Sequence, residues 1–479
     1  MSEASRPTNF NDRANAGEII EILNDSLPSA EPPICPYSEP RIKLTAVSDL
    51  KKMSYKPLSM KLSDASEILD DRIDELMHTL ASEKHLDYAL FGSAAAQGTT
   101  DVIAVGRIAC DAKEGGKLNA ASVVLETSRR MGGGLRIPLD LKKVMTQKGH
   151  AFFPGQIVAL RGSNASGNDF TVEEILEVPL LNNAASSPAQ LEAHRDRLRG
   201  GPDAMDDGSE PAPLNILIGS GPYTADDNLD FEPLHALCSK AADTYVDAVI
   251  LTGPFLDAEH PLIASGDFDI PEELLADADT ATLSTLFKAL VSPAFHSLAQ
   301  ANPSVTIILI PSTRDVLAKH VSWPQDVLPR KELGLPKCAR VVSNPMTLNV
   351  NEVTLGASSQ DILYELRQEE LLIGNKSAVT EANSRLCRHV IEQRHYFPLF
   401  PPADRSKLPK TGVDGGKGLP PGGMLDLSYL KLGELGGVRP DVMILPSALP
   451  PFARVMFPYS LSLFFPFFLL HLPICFSVF

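Results

Sequence analysis

The sequence predicts a multidomain α+β protein, a small β-barrel followed by a layered α/β sandwich, and three observations carry that prediction. Between about residues 86 and 180, short β-prone runs alternate with glycine turns, the pattern of a compact all-β unit. From residue 214 onward, apolar runs of strand length alternate with helical ones, as in a layered α/β structure. The stretch 181–213 between them is rich in Asn, Ala, Ser, Pro, Asp and Gly and reads as a linker. A chain of 479 residues exceeds what one ordinary core organises, so a division into two or three domains is expected.

The totals narrow the function. A hydrophobic content of 44% supports a folded protein, and a formal charge of −17 argues against a surface built mainly to hold phosphate backbones. Six cysteines (Cys35, Cys110, Cys238, Cys338, Cys387, Cys475) are scattered with no CxxC pair. That fits a reducing compartment and excludes a Cys-rich zinc module. The N-terminal MSEASRPTNFNDR has no apolar run of the kind a secretory signal needs, so a cytosolic or nuclear protein is expected.

In chain order, residues 1–60 are polar and proline-spotted and read as a disordered or linker arm. A helix is predicted over 61–85, with Ser63 as N-cap and Ile68, Leu69, Ile73, Leu76, Met77 and Leu80 at helical spacing. Residues 86–180 carry strands near 101–109, 119–126, 134–139, 155–161 and 170–177, with a partly helical connection over 140–150. Five strands so spaced fit an OB-fold barrel. Such barrels bind single strands through basic and aromatic side chains, but Phe152, Phe153 and Phe170 read as core. A short charged helix is expected near 190–198 within the linker. The unit 214–455 is predicted to carry strands at 215–218, 248–251, 306–310 and 442–445, helices near 231–244, 280–299, 361–371 and 379–393, and a meander over 339–355. Residues 401–423 read as a surface insertion. Residues 456–479 are uncharged and Phe-rich, long enough to cross a bilayer, but Pro458, Pro466 and Pro473 oppose a helix there.

Functional groups collect where the strands of open α/β sheets end. Two metal ions activating water on a phosphodiester need several carboxylate and imidazole ligands in such turns: D-x-H, G-D-x-x-D, G-N-H-[DE] and G-H-x-H. This chain offers Gly219-Ser220-Gly221-Pro222, then Gly253-Pro254-Phe255-Leu256-Asp257, then Pro311-Ser312-Thr313-Arg314-Asp315, and last Pro446-Ser447-Ala448-Leu449-Pro450. Asp257 and Asp315 remain, and two carboxylates cannot replace the missing ligands. Arg314-Asp315 reads as an ion pair or helix-start cap, and His260 and His320 as solvated or partner-facing. Gly219-x-Gly221 lacks the third glycine of a dinucleotide fingerprint, and Gly415-Gly416-Lys417-Gly418 lacks the Ser or Thr of a phosphate loop. Sequons at Asn24, Asn164 and Asn375 carry little weight in a chain that is not secreted. No catalytic, cofactor-binding or metal residue is assigned, and no cofactor is expected.

These residues resemble a specific family, the B subunits of replicative DNA polymerases, with the alpha–primase branch most similar. The resemblance rests on GRIACD, GKLNAASVVLE, IPLDL and FPGQIVALRG, then on GPYT, LTGPFLDAEH, PSTRD, VVSNP, QRHYFPLFPP and PDVMILPSALPPFARV, and covers about residues 60–455. It implies an OB barrel packed on a calcineurin-like phosphoesterase-type sandwich that has lost its metal ligands. It also implies a nuclear, non-enzymatic scaffold in the initiation of DNA replication. Such a subunit holds the C-terminal zinc-binding domain of the catalytic subunit of DNA polymerase alpha and, through it, primase, touching DNA mainly indirectly and no membrane. The alternatives are a divergent metallophosphoesterase using Asp257 and Asp315, and a single-strand-binding barrel using Arg107, Arg129, Arg130, Arg136 and Arg161. Family members usually begin with a small helical domain and continue past the PFARV segment through further strands. Residues 456–479 depart from that pattern and are expected to be a gene-model artefact that leaves a sheet edge exposed and the chain poorly soluble alone.

Overall fold

The computed structural model of the chain describes residue 10 and residues 17–23, 31–47, 60–112, 116–146, 149–199, 212–270, 281–317, 322–374, 381–403, 424–457, 460–465, 470–473 and 476–478. His320, Cys475, the sequons at Asn24 and Asn375, the Gly415–Gly418 run and most of the predicted 401–423 insertion lie outside the described residues.

Five strands close the barrel in the order Gly98–Cys110, Val123–Thr127, Arg136–Asp140, Phe170–Leu176, Ile157–Asn164. All neighbours are antiparallel except Arg136–Asp140 with Phe170–Leu176, which run parallel and complete the closure. Alternation along each strand sends Ala104, Ile108, Leu125, Leu139, Val158, Leu160, Phe170 and Val172 inward. Phe152 fills the barrel interior, whereas its neighbour Phe153 points the other way into the core of the second unit. The leading helix, Leu62–Glu83, lays Ile73, Leu76, Met77 and Leu80 on the outer barrel residues Ile103, Val105, Ile157 and Ala159. Lys61 rather than Ser63 occupies its N-cap position, and Ser63 lies inside the helix, where its hydroxyl bonds Asp64.

The second unit stacks two sheets between helices. In the first sheet, Asn215–Ser220, Ala248–Thr252, Thr306–Ile310 and Ala339–Val341 run parallel. The second sheet contains Val442–Pro446, the hairpin Met346–Val350 with Val353–Ala357, and Leu44–Ala46 at one edge. Ile218, Ile250, Ile308 and Ile310 meet Met346, Leu348, Leu355 and Ile444 between the sheets. Strand residues on the opposite pleat face, among them Leu217, Val249, Leu251, Ile307 and Leu309, pack under helices Glu232–Asp243, Leu283–Leu290 and Ser292–Ala301. Helices Ile362–Glu369 and Ala382–Glu392 cover the other sheet.

Several readings change. The predicted meander is split, because Ala339–Val341 follows Thr306–Ile310 in one sheet while the next two strands form a hairpin in the other. Asn351 closes that hairpin at φ +55°, a left-handed conformation its short polar side chain tolerates. The stretch 1–60 is not simply an arm: residues 41–47 lie on the second unit and Leu44–Ala46 is a paired strand. The helix expected in the linker spans Pro188–Arg199. As the prolines lead one to expect, the described parts of the apolar C-terminal stretch form no helix: Ser460–Phe465, Leu470–Pro473 and Phe476–Val478 are strands. Ser460–Phe465 pairs with Val442–Pro446, and Leu470–Pro473 with Asn215–Ser220, so the sheet edges expected to be bare are paired. Among the described residues no helix is long and apolar enough to cross a membrane.

Candidate functional site

Three of the four strand ends singled out in the sequence are neighbours: Asn215–Ser220, Ala248–Thr252 and Thr306–Ile310 deliver their turns side by side, while Val442–Pro446 lies in the other sheet. The turns are closed onto one another by backbone bonds. Gly221 N–H donates to Thr252 O (2.8 Å), Gly253 N–H to Ile310 O (2.8 Å), and Val316 N–H to Leu256 O (3.0 Å). Two glycines permit this approach, since a Cβ on Gly221 would overlap the Pro254 backbone and one on Gly253 would overlap the Asp315 carboxylate. Tyr223 fills the remaining space, stacked on Phe255 with ring centroids 5.6 Å apart, and its hydroxyl donates to Thr252 O at 2.9 Å.

The two carboxylates of these turns, Asp257 and Asp315, are both engaged by the protein itself. Asp315 accepts backbone N–H groups from Phe255 (2.6 Å) and Leu256 (3.1 Å) on one oxygen and from Ser312 (2.8 Å) on the other. Burial pushes its carboxyl up to about 7, the three N–H donors working against that rise and nearby Asp257 adding to it. Asp257 is held at both oxygens by Arg314, with Arg314 Nε donating at 3.1 Å, and it also accepts the Glu259 N–H at 3.0 Å. The sequence reads Arg314-Asp315 as an ion pair or a helix-start cap, but Arg314 pairs with Asp257 and Glu259 rather than with Asp315. Asp315, however, caps no helix; it ties two strand-end turns together. His260 is buried rather than solvated: Nε2 donates to Ala225 O at 2.7 Å, and Nδ1 accepts from Leu262 N–H at the start of helix Pro261–Ser265. Among the described residues no group of three or more His, Cys, Asp or Glu is placed to hold a metal ion.

A polar network continues from these turns and was not legible in the sequence, although VVSNP contains its hub. Asn344 donates to Gln325 Oε1 (3.0 Å) and Ser359 Oγ (2.7 Å) and accepts from Trp323 Nε1 (3.3 Å), Ser358 Oγ (3.0 Å) and Ser359 N–H (3.1 Å). Gln325 in turn donates to Ser312 O, and Ser359 to Pro311 O, so the network supports the PSTRD turn from below.

The QRHYFPLFPP stretch joins the two units. Gln393 accepts Ile157 N–H (2.8 Å) and donates to Ile157 O (3.0 Å), its amide standing in for a neighbouring strand on the barrel. Phe400 N–H bonds Pro154 O, Arg107 lies over the Phe400 ring at 5.2 Å, and Leu371–Ile373 pairs with His150–Phe152. His395 is buried between Trp323 and the backbone, donating to Leu430 O and accepting from Phe397 N–H; burial, reinforced by Arg72, holds it well below the ordinary histidine value.

The five barrel arginines considered for single strands each lie beside a carboxylate. Arg107 and Arg136 share Glu126, Arg129 pairs with Asp70, Arg130 with Asp71 and Asp74, and Arg161 with Glu174. Arg107 is buried as well.

Comparison with known proteins agrees with the division into two units. Residues 66–178 match the family model for the OB domain of the DNA polymerase alpha B subunit, and residues 216–454 match that for the B subunits of DNA polymerases alpha and epsilon. A Schizosaccharomyces pombe protein named as the B subunit of DNA polymerase alpha is 35% identical over 92% of this chain and 70% of its own length. The Saccharomyces cerevisiae protein of the same name is 34% identical over 92% of this chain and 63% of its own, and the Bos taurus protein 30% identical over 96% and 67%. The chain therefore spans about two thirds of the length of these relatives and belongs to the family of DNA polymerase alpha B subunits.

Proposed function

We propose that the chain is a non-catalytic accessory subunit of the DNA polymerase alpha–primase complex, acting in the nucleus at the initiation of replication. On this reading residues 86–180 are the OB unit, led by the 61–85 helix, and residues 214–455 are a phosphoesterase-type sandwich without metal ligands. The two units together hold the C-terminal zinc-binding domain of the catalytic subunit, and primase is reached through the complex. Family membership supports the accessory role. The observation that carries the non-catalytic reading is the state of the strand-end turns. Asp315 gives both oxygens to backbone donors and Asp257 gives both to Arg314, so neither presents an unoccupied carboxylate to a metal or substrate. The paired arginines of the barrel support indirect rather than direct contact with DNA.

The test is co-expression of the full chain with the C-terminal domain of the catalytic subunit. Co-elution at fixed stoichiometry is expected, and separate elution would overturn the scaffold reading. Manganese-dependent phosphodiester hydrolysis that vanishes in Asp257→Ala would overturn the non-catalytic one.

A further inference from the structure

The barrel is an excursion from the second unit: the chain lies on that unit at residues 41–47, builds the barrel, and returns through Pro188–Arg199 to Asn215–Ser220. Both connections meet at the same place. Strand Leu44–Ala46 pairs antiparallel with Met346–Val350, with Ala46 opposite Leu348 and Leu44 opposite Val350. Asn351, in the adjoining turn, accepts Lys43 N–H (2.8 Å), donates its own N–H to Lys43 O (3.0 Å), and donates Nδ2 to Arg41 O (3.1 Å). The returning connection reaches the same turn, through Arg197 to Asn351 Oδ1 (3.3 Å) and Ser186 Oγ to Glu352 (3.0 Å).

Arg41 fastens the two ends together. It is buried, packed 4.4 Å from the Tyr37 ring centroid, and bonds both oxygens of buried Asp247 at 3.3 Å. Its second terminal nitrogen donates to Ala212 O on the returning chain. Asp247 also accepts Asn215 N–H at 2.8 Å, so one guanidinium reaches the strap, the return point and the start of two central strands.

We propose that residues 41–47 act as an intramolecular ligand of the second sheet, a strand added at its edge, with Arg41 as the anchor that clasps the outgoing and returning connections of the barrel. Main-chain pairing supplies affinity and one buried charged side chain supplies register, as in strand-addition recognition generally. The strap then holds without a covalent link to the barrel.

The experiment uses the full chain with a protease recognition sequence placed within residues 48–59, cleaved after folding. The N-terminal fragment is expected to remain with the rest of the chain through size exclusion at micromolar concentration. In a cleaved Arg41→Ala chain, retention should weaken by roughly 100-fold or more, because Asp247 is left buried without its cationic partner. Arg41→Lys keeps the charge but cannot reach Asp247 and Ala212 together, and should retain the fragment with about tenfold weaker affinity. Should Arg41→Ala fail to fold before cleavage, the wild-type and Arg41→Lys chains decide the matter alone. Glu21, which pairs with Arg454 at 2.6 Å, lies on the same fragment, and Glu21→Gln should still retain it. The proposal is overturned if the wild-type fragment leaves on cleavage, if neither Arg41 variant weakens retention, or if Glu21→Gln alone releases it.

Discussion

Replacing Asp315 by Asn tests the claim that this carboxylate is a structural tie between turns. The substitution keeps the shape and one acceptor oxygen, which can still receive Phe255 and Leu256 N–H. The other oxygen becomes an NH2 facing the Ser312 N–H, which in the wild type donates to that oxygen at 2.8 Å. A buried donor left without its acceptor costs about 1–3 kcal/mol, so a loss in that range is expected at about pH 4. A second signature is the pH dependence. The folded-state carboxyl sits at about 7, above the unfolded value of about 3.9. Its contribution is therefore fully present below about pH 4 and is lost as pH rises toward 7, a swing of up to about 4 kcal/mol at 1.36 kcal/mol per unit. His395 acts with the opposite sign. Its folded value is depressed by burial, so its contribution is present above about pH 6.5 and lost on acidification. The quantity to measure is thus the difference between wild type and variant at each pH, which cancels His395. Trp323 is the single tryptophan and is buried against His395, so its fluorescence during urea unfolding reports on the second unit alone. An Asp315→Asn chain within about 0.5 kcal/mol of wild type at every pH from about 4 to 7 would refute both the donor count and the sign.

The seam between the units and the Asp257 pair give two further expectations. Gln393→Ala removes both partners of a buried strand residue, Ile157, and should cost about 2–4 kcal/mol; differential scanning calorimetry should then resolve barrel and sandwich melting separately, whereas a single unchanged transition would count against the clamp. Arg314→Ala leaves Asp257 buried without its guanidinium and should cost about 3–5 kcal/mol, read by the Trp323 urea midpoint, with Arg314→Lys recovering only part because lysine cannot hold both oxygens.

The barrel and the parallel core were legible because their signals are local. Strand period, glycine turns and β-branched runs such as Thr306–Ile310 depend on neighbours a few residues away. The meander over 339–355 was misjudged for the complementary reason: nothing local in Ala339–Val341 tells whether it pairs with Thr306–Ile310 or with the hairpin that follows it. The strap failed similarly. Its LTA strand is three residues long, and its reason for being ordered is Asp247, 206 positions away from Arg41. His260 was misread because a polar residue before proline looks like a surface turn, while its two ring nitrogens are satisfied by Ala225 and Leu262 inside the fold.

The strand-end turns show why the absence of a metal-ligand pattern could be read in the sequence while the arrangement of the turns could not. The missing ligand types were visible one residue at a time in GSGP, GPFLD and PSTRD. The turns hold instead a mutual arrangement. Gly221 and Gly253 remove the side chains that would keep the turns apart, Tyr223 enters between them, and Asp315 turns its oxygens onto the backbone of the neighbouring turn. Each step requires the others: with a Cβ at position 253 the Asp315 carboxylate could not reach Ser312 N–H and Phe255 N–H together, and without that carboxylate three buried donors would lack acceptors. Introducing a carboxylate at a single position, such as Pro254→Asp, would therefore place it beside closed turns rather than open a site. Manganese binding by that variant, measured by calorimetry, is expected to be no different from wild type.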